Sequence, residues 1–146
     1  MTATTDIDAP FAHYTTKHRI VAWVSTRLFG SFEYTVQRGL LTGMRRHGGL
    51  GFVPGWIGSP ITDEDRFWMA LALDGKVVYD IGAFEGLLSL YFATRASRVI
   101  SFEPMPRNRT RFLRNLELNA IRNVEVPPVG LSDAPGELEV ASLGLM

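Results

Sequence analysis

A chain of 146 residues that is 46% apolar is long enough for one ordinary domain with a real core. Its 15 basic and 15 acidic residues cancel, so whole-chain charge gives no reason to expect nucleic acid as a partner. The absence of cysteine excludes disulfides, thiolate metal sites and a cysteine nucleophile, and it fits a reducing compartment.

Met1 to Pro10 carry two aspartates and lack a basic stretch leading into an apolar one, so they do not read as a secretory signal. No apolar run nears the roughly 18 residues that a membrane span needs. The expectation is a soluble cytoplasmic protein without a transmembrane segment. Residues 1–12 read as a loose tail. From about Tyr14 to Arg46 the apolar positions Ile20, Val21, Trp23, Val24, Leu28, Phe29 and Phe32 recur at helical spacing, and Gly30, Gly39 and Gly43 break the pattern into pieces. Six basic residues face only Glu33 between residues 10 and 50, which reads as a solvated face. The turn-rich stretch Gly48 to Pro60 is a linker, and it divides the chain into a tail and helical segment, 1–57, and an α/β domain, 58–146.

Thr62-Asp63-Glu64-Asp65 has the form of a capping box, opening a helix to about Leu73 that buries Phe67, Trp68 and Leu71. Beyond the Asp74-Gly75 stop the pattern is β-α-β-α-β. A strand at 76–81 leads to a helix at 86–95 that is apolar nearly all round. A second strand, 98–103, leads to a helix at 106–120 with Phe112, Leu113 and Leu116 inward and Arg107, Arg111 and Arg114 outward. A third strand follows at 124–129, and 137–140 suits a short further one. Alternating strands and helices imply a parallel sheet with right-handed crossovers.

The chemistry concentrates at Val77-Val78-Tyr79-Asp80-Ile81-Gly82-Ala83-Phe84-Glu85-Gly86. Gly82 and Gly86 permit a tight strand-to-helix turn and close approach of a ligand to bare backbone. The helix start offers unpaired N–H groups to an anionic ligand group. Asp80, at the strand's end, suits a ligand ammonium. Glu103 follows Gly82 by 21 residues, the spacing at which the acid ending the second strand binds ribose hydroxyls in doubly wound folds. A dinucleotide is disfavoured. The glycines are spaced G-x-x-x-G rather than G-x-G-x-x-G, Phe84 stands where a pyrophosphate needs bare backbone, and the acid before Gly82 repels phosphate. A nucleoside with an amino-acid end, S-adenosylmethionine, fits better. Glu85 reads either as a substrate contact at the pocket mouth or as a solvated first-turn acid. His13, His18 and His47 lie apart without paired carboxylates, and no metal site is expected.

Val78 to Ala83, Val99 to Pro104, Asn115-Leu116-Glu117-Leu118-Asn119 and Gly130-Leu131-Ser132-Asp133 with Pro135-Gly136-Glu137 resemble, in order and spacing, the N-terminal half of the FkbM-type methyltransferases, a class I, Rossmann-like family. Arg38 to Met44 is similar to the lead-in such proteins carry. The resemblance implies a cofactor half-site of Asp80, Gly82, Ala83, Phe84, Gly86 and Glu103, with Leu131 and Ser132 near the adenine. It implies S-adenosylmethionine-dependent methylation of a hydroxyl on a sugar or secondary metabolite, with a small-molecule acceptor. The family sheet order is 3-2-1-4-5-7-6. Only strands 3-2-1 are expected here, so the chain reads as a truncated enzyme whose acceptor side is missing, and no catalytic residue is assigned. The first strand would then be an open edge, able to support self-association. Exposing a few hundred Å² of apolar surface there costs about 5–10 kcal/mol. A second reading is a non-catalytic methyltransferase-like remnant that acts as an interaction module.

Overall fold

The computed structural model describes residues 32–48, 60–134 and 136–137. The chain orders as β1 (Glu33–Thr35), β2 (Arg45–His47), α1 (Asp63–Ala70), β3 (Val77–Ile81), α2 (Leu87–Ala93), β4 (Arg98–Phe102), α3 (Pro106–Leu118) and β5 (Val124–Glu125). The expected tail, most of the linker and all but the first residue of the 137–140 strand lie outside the described residues, as does the expected helix up to residue 31.

Within 32–48 the expected helix is instead an antiparallel hairpin, with Glu33 opposite His47 and Thr35 opposite Arg45. The apolar stripe that suggested a helix ends at Phe32. Beyond it Glu33-Tyr34-Thr35 and Arg45-Arg46-His47 suit strands, and the chain reverses between them through Val36 N–H to the Met44 carbonyl (2.9 Å) and Gly43 N–H to the Val36 carbonyl (2.8 Å). The lead-in Arg38 to Met44 is the turn of this hairpin.

The hairpin is held by α3. Asn119 stands in for a neighbouring strand: its Oδ1 accepts the Arg45 N–H (2.9 Å) and its Nδ2 donates to the Arg45 carbonyl (2.7 Å). One turn earlier Asn115, fully buried, accepts the His47 N–H (2.7 Å) and donates to the Glu85 carbonyl (3.0 Å). The i, i+4 spacing places both amides on one helix face. An asparagine has both a donor and an acceptor, which is what the edge of a strand requires.

The main sheet is parallel, in the order β3-β4-β5. This is the α/β arrangement with strand order 3-2-1 that the sequence implies. Strand β5 is only two residues long, shorter than expected. Val78 and Asp80 of β3 lie level with Val99 and Ser101 of β4 on the packed face. Leu90 and Phe92 of α2 and Phe112 and Leu116 of α3 belong to the same core as Val99. Val77, Tyr79 and Ile81 point the other way and are 48%, 63% and 67% exposed.

The capping box of α1 forms as expected: Thr62 Oγ1 accepts the Asp65 N–H and Asp65 Oδ2 accepts the Thr62 N–H. Its burial does not follow expectation. Phe67 is exposed, and Trp68 and Leu71 are only partly covered. The Trp68 ring meets Phe92 edge-on at 5.6 Å. Arg95 closes the end of α1 by donating to the Met69 and Leu71 carbonyls, which the helix leaves without partners. In α3, Leu113 is outward and Asn115 takes the inward position.

Replacing Asn115 by leucine leaves the His47 N–H and the Glu85 carbonyl without partners in a dry environment. At about 1–3 kcal/mol for each buried group, urea denaturation should show a loss of roughly 2–6 kcal/mol, against under about 0.5 kcal/mol for an exposed control at Leu113.

Candidate functional site

The carboxyl ends of β3 and β4 are bound together by the loop between β3 and α2. The N–H groups of Gly82 and Ala83 both donate to the Phe102 carbonyl, at 3.0 and 3.1 Å. The next N–H, that of Phe84, donates to Glu103 Oε2 (2.8 Å). Gly86 N–H closes the turn on the Ala83 carbonyl (2.8 Å).

Three residues of this loop have positive φ: Gly82 at 79°, Phe84 at 53° and Gly86 at 81°. The two glycines are there for different reasons. A Cβ on Gly86 would lie 2.1 Å from the Phe112 ring, so the loop packs directly on α3. A Cβ on Gly82 would meet nothing within 4 Å, so this backbone faces open space that a ligand can use. Phe84 accepts a conformation that costs an L-residue roughly 1–2 kcal/mol. The Glu103 hydrogen bond to its N–H holds it there, with the ring 38% exposed.

Asp80 is partly buried on the packed face, and its Oδ2 accepts the Ser89 hydroxyl at 2.5 Å. Burial pushes its carboxyl above the ordinary aspartate range, and the hydrogen bonds from Ser89 oppose that rise. Glu103 lies two residues beyond Ser101, which pairs with Asp80 in register, so both carboxylates stand at the same end of adjacent strands. Glu103 is 4% exposed and already engaged: Oε2 by Phe84 N–H, Oε1 by Met105 N–H (2.9 Å) and Asn108 Nδ2 (3.2 Å). A carboxylate offers about four acceptor positions, so one remains on Oε2 for a further donor. Ala83, within the loop, is buried. Leu131 and Ser132 are exposed; the neighbouring Gly130 lies against Pro104, which brings this segment to the end of β4.

Glu85 fits neither sequence expectation. It is 1% exposed, and its carboxylate is held by Arg111 of α3 at 2.6 Å and Arg46 of β2 at 3.2 Å. Arg111 is therefore inward rather than outward, and Arg46 is not on a solvated face: both side chains are 13% exposed. Its neighbour Arg45 pairs with Glu33, which Arg114 also binds. Sequence reasoning missed this cluster and Ser89. The usable signal was a lone acid between glycines in an otherwise apolar stretch, with arginines on a facing helix. Among the described residues no group of three or more His, Asp or Glu is placed to hold a metal ion, and no helix is long and apolar enough to cross a membrane.

No family model matches the chain. Over 63 residues it is 51% identical to the AMB antimetabolite synthetase AmbE of Pseudomonas aeruginosa, a match that covers 42% of this chain and spans only 3% of that protein's length. Solved structures show partial similarity. TYW2 from P. horikoshii in complex with MeSAdo aligns over 65% of this chain and 36% of its own, with 26% identity and a TM-score of 0.48. Trm5b from Pyrococcus abyssi aligns over 57% and 25%, with 26% identity and a TM-score of 0.45. An rRNA methylase from Streptococcus thermophilus aligns over 44% and 39%, with 20% identity and a TM-score of 0.42.

The two glycines give a paired prediction. Gly82→Ala should cost only the left-handed backbone penalty, about 1–2 kcal/mol in urea denaturation. Gly86→Ala adds the collision with Phe112 and should cost more than about 3 kcal/mol.

Proposed function

We propose that this chain forms the cofactor half of an S-adenosylmethionine-dependent methyltransferase of FkbM type, acting on a hydroxyl of a small metabolite. The observation that carries this reading is the pair of carboxylates, Asp80 and Glu103, at the ends of adjacent parallel strands with an open glycine backbone at Gly82 between them. The sequence resemblance supports it. The synthetase match, whose name is that of a maker of an antimetabolite, supports a small-molecule acceptor over a macromolecule.

The residues suit the two ends of such a ligand. Asp80, partly exposed, accepts in its ionised form from the ammonium of the amino-acid end. Glu103 Oε2 accepts from a ribose hydroxyl while its other oxygen stays fixed on Met105 and Asn108. Gly82 and Ala83 form the floor, Gly86 fixes the turn, and Phe84 stands at the rim. Leu131 and Ser132 border the base. When bound, the sulfonium supplies an electrophilic methyl carbon. The chain's contribution is to hold that centre in line with an incoming oxygen, a matter of orientation rather than of covalent chemistry by the protein.

A second reading draws on the exposed face of β3. Val77, Tyr79 and Ile81 together with a strand edge unpaired among the described residues suit association with another chain or copy, without catalysis.

Calorimetric titration separates the two. S-adenosylmethionine and S-adenosylhomocysteine should both give saturable heat with the folded chain. Asp80→Ala should weaken S-adenosylmethionine at least about tenfold, the equivalent of about 1.4 kcal/mol for a lost charge-assisted bond. No heat from either ligand, with circular dichroism confirming a folded chain, removes the methyltransferase reading.

A further inference from the structure

Behind Asp80 stand two serine hydroxyls that water does not reach. Ser89 of α2 and Ser101 of β4 are both 0% exposed, and they lie in the same layer as the apolar Leu90, Val99 and Phe112. Burying a hydroxyl among apolar groups is unfavourable unless it is hydrogen-bonded, and alanine would avoid that requirement. The two oxygens are 2.7 Å apart, and Ser89 Oγ is 2.5 Å from Asp80 Oδ2.

Proton accounting gives the chain a direction. A hydroxyl has one proton, and an ionised carboxylate can only accept. The Ser89 proton therefore goes to Asp80, and Ser89 Oγ must accept from Ser101. The order is Ser101 to Ser89 to Asp80. Each donation polarises the next, so the donor that reaches the carboxylate is stronger than a lone serine. The register does the rest: Ser101 sits directly opposite Asp80 across the β3–β4 ladder.

We propose that Ser89, backed by Ser101, is a positioning residue that holds Asp80 ionised and fixed at the strand end, ready for the ammonium of the cofactor's amino-acid end. This rests on the methyltransferase reading for its ligand, but the hydrogen-bond chain does not. No charged side chain among the described residues shares the task. Among the described residues, Asp80 is shifted by its burial and by Ser89 alone. The other carboxylates at this end of the sheet are engaged elsewhere: Glu85 by Arg46 and Arg111, and Glu103 by Phe84, Met105 and Asn108. Ser101 of β4 and Ser89 of α2, the elements packed on β3, are neutral.

The sign follows. Burial favours the protonated carboxyl and Ser89 favours the ionised one. Removing the Ser89 hydroxyl takes away the larger of the two bonds that oppose burial and leaves only the Ser89 backbone N–H, so the Asp80 midpoint rises. A ligand that needs the ionised form then loses affinity at a higher pH than in the wild type, while affinity well above that midpoint changes little.

The test is a carboxyl-carbon NMR titration of the full chain, with the Asp80 resonance identified by its loss in Asp80→Asn. Ser89→Ala should raise the Asp80 midpoint by about one pH unit or more, Ser89→Thr should restore it, and Ser101→Ala should raise it less. An unchanged midpoint in Ser89→Ala, or no recovery in Ser89→Thr, overturns the proposal. If Ser89→Ala does not fold, Ser101→Ala decides: a raised midpoint supports the chain of donors and an unchanged one overturns it. Titration with S-adenosylmethionine at pH 5 to 8 distinguishes the layers. Binding by the wild type with the same acid limb in Ser89→Ala overturns the positioning role and leaves the methyltransferase reading standing. No binding by the wild type overturns both.

Discussion

A carboxylate shut away from water holds this molecule's glycine loop in place. Glu85 lies inside the glycine loop, yet its side chain reaches Arg111 on α3 and Arg46 on β2, and its carbonyl receives Asn115. Three segments distant in sequence meet on one residue. Taking three ions out of water costs several kcal/mol each, and only close pairing offsets it. Such a cluster adds little to net stability compared with an apolar substitute. It is unforgiving of the loss of Glu85, because that leaves two arginines without their counter-charge. That is how it can hold a strained loop: positive φ at Gly82, Phe84 and Gly86 is tolerable because both flanks are anchored, through Phe102 and Glu103 on one side and through Glu85 on the other.

The sheet is asymmetric about its own plane. One face carries Val78, Asp80, Val99 and Ser101 beneath α2 and α3. The opposite face of β3 presents Val77, Tyr79 and Ile81, all exposed. A parallel strand with large apolar residues on both faces has the composition of one covered on both. The described residues supply one cover. The glycine loop, Asp80 and Glu103 sit on the covered side and are tightly bonded, while among the described residues nothing covers the far face.

The β-α-β-α-β order was legible because helix and strand periods differ and because Asp74-Gly75 and Pro104 punctuate them. The carboxylate pair was legible too: Asp80 and Glu103 each end an apolar run, and strands paired in parallel bring such ends together. What sequence could not reveal was contact between distant segments. Glu85 looked like a first-turn acid because nothing local shows that Arg46, thirty-nine residues earlier, returns to it. Arg111 looked outward because its charge suggested solvent, although Phe112 beside it is fully buried. Residues 32–48 looked helical by continuation of the stripe before them. Their strands exist because Asn115 and Asn119 on α3 complete the backbone of β2, a requirement visible only from the partner's side. The same asparagines stood out through a resemblance to a family motif without their task being legible.

The most direct test of this account is a double-mutant cycle between Glu85 and Arg111, using Glu85→Gln and Arg111→Met and measured by urea denaturation. Glu85→Gln should cost about 3–5 kcal/mol, the range for breaking a buried pair, Arg111→Met should cost less because Arg46 still pairs with Glu85, and the double mutant should recover part of the loss, giving a coupling above about 1.5 kcal/mol. A coupling below about 0.5 kcal/mol, as for an exposed pair, would contradict the view that this buried carboxylate anchors the loop.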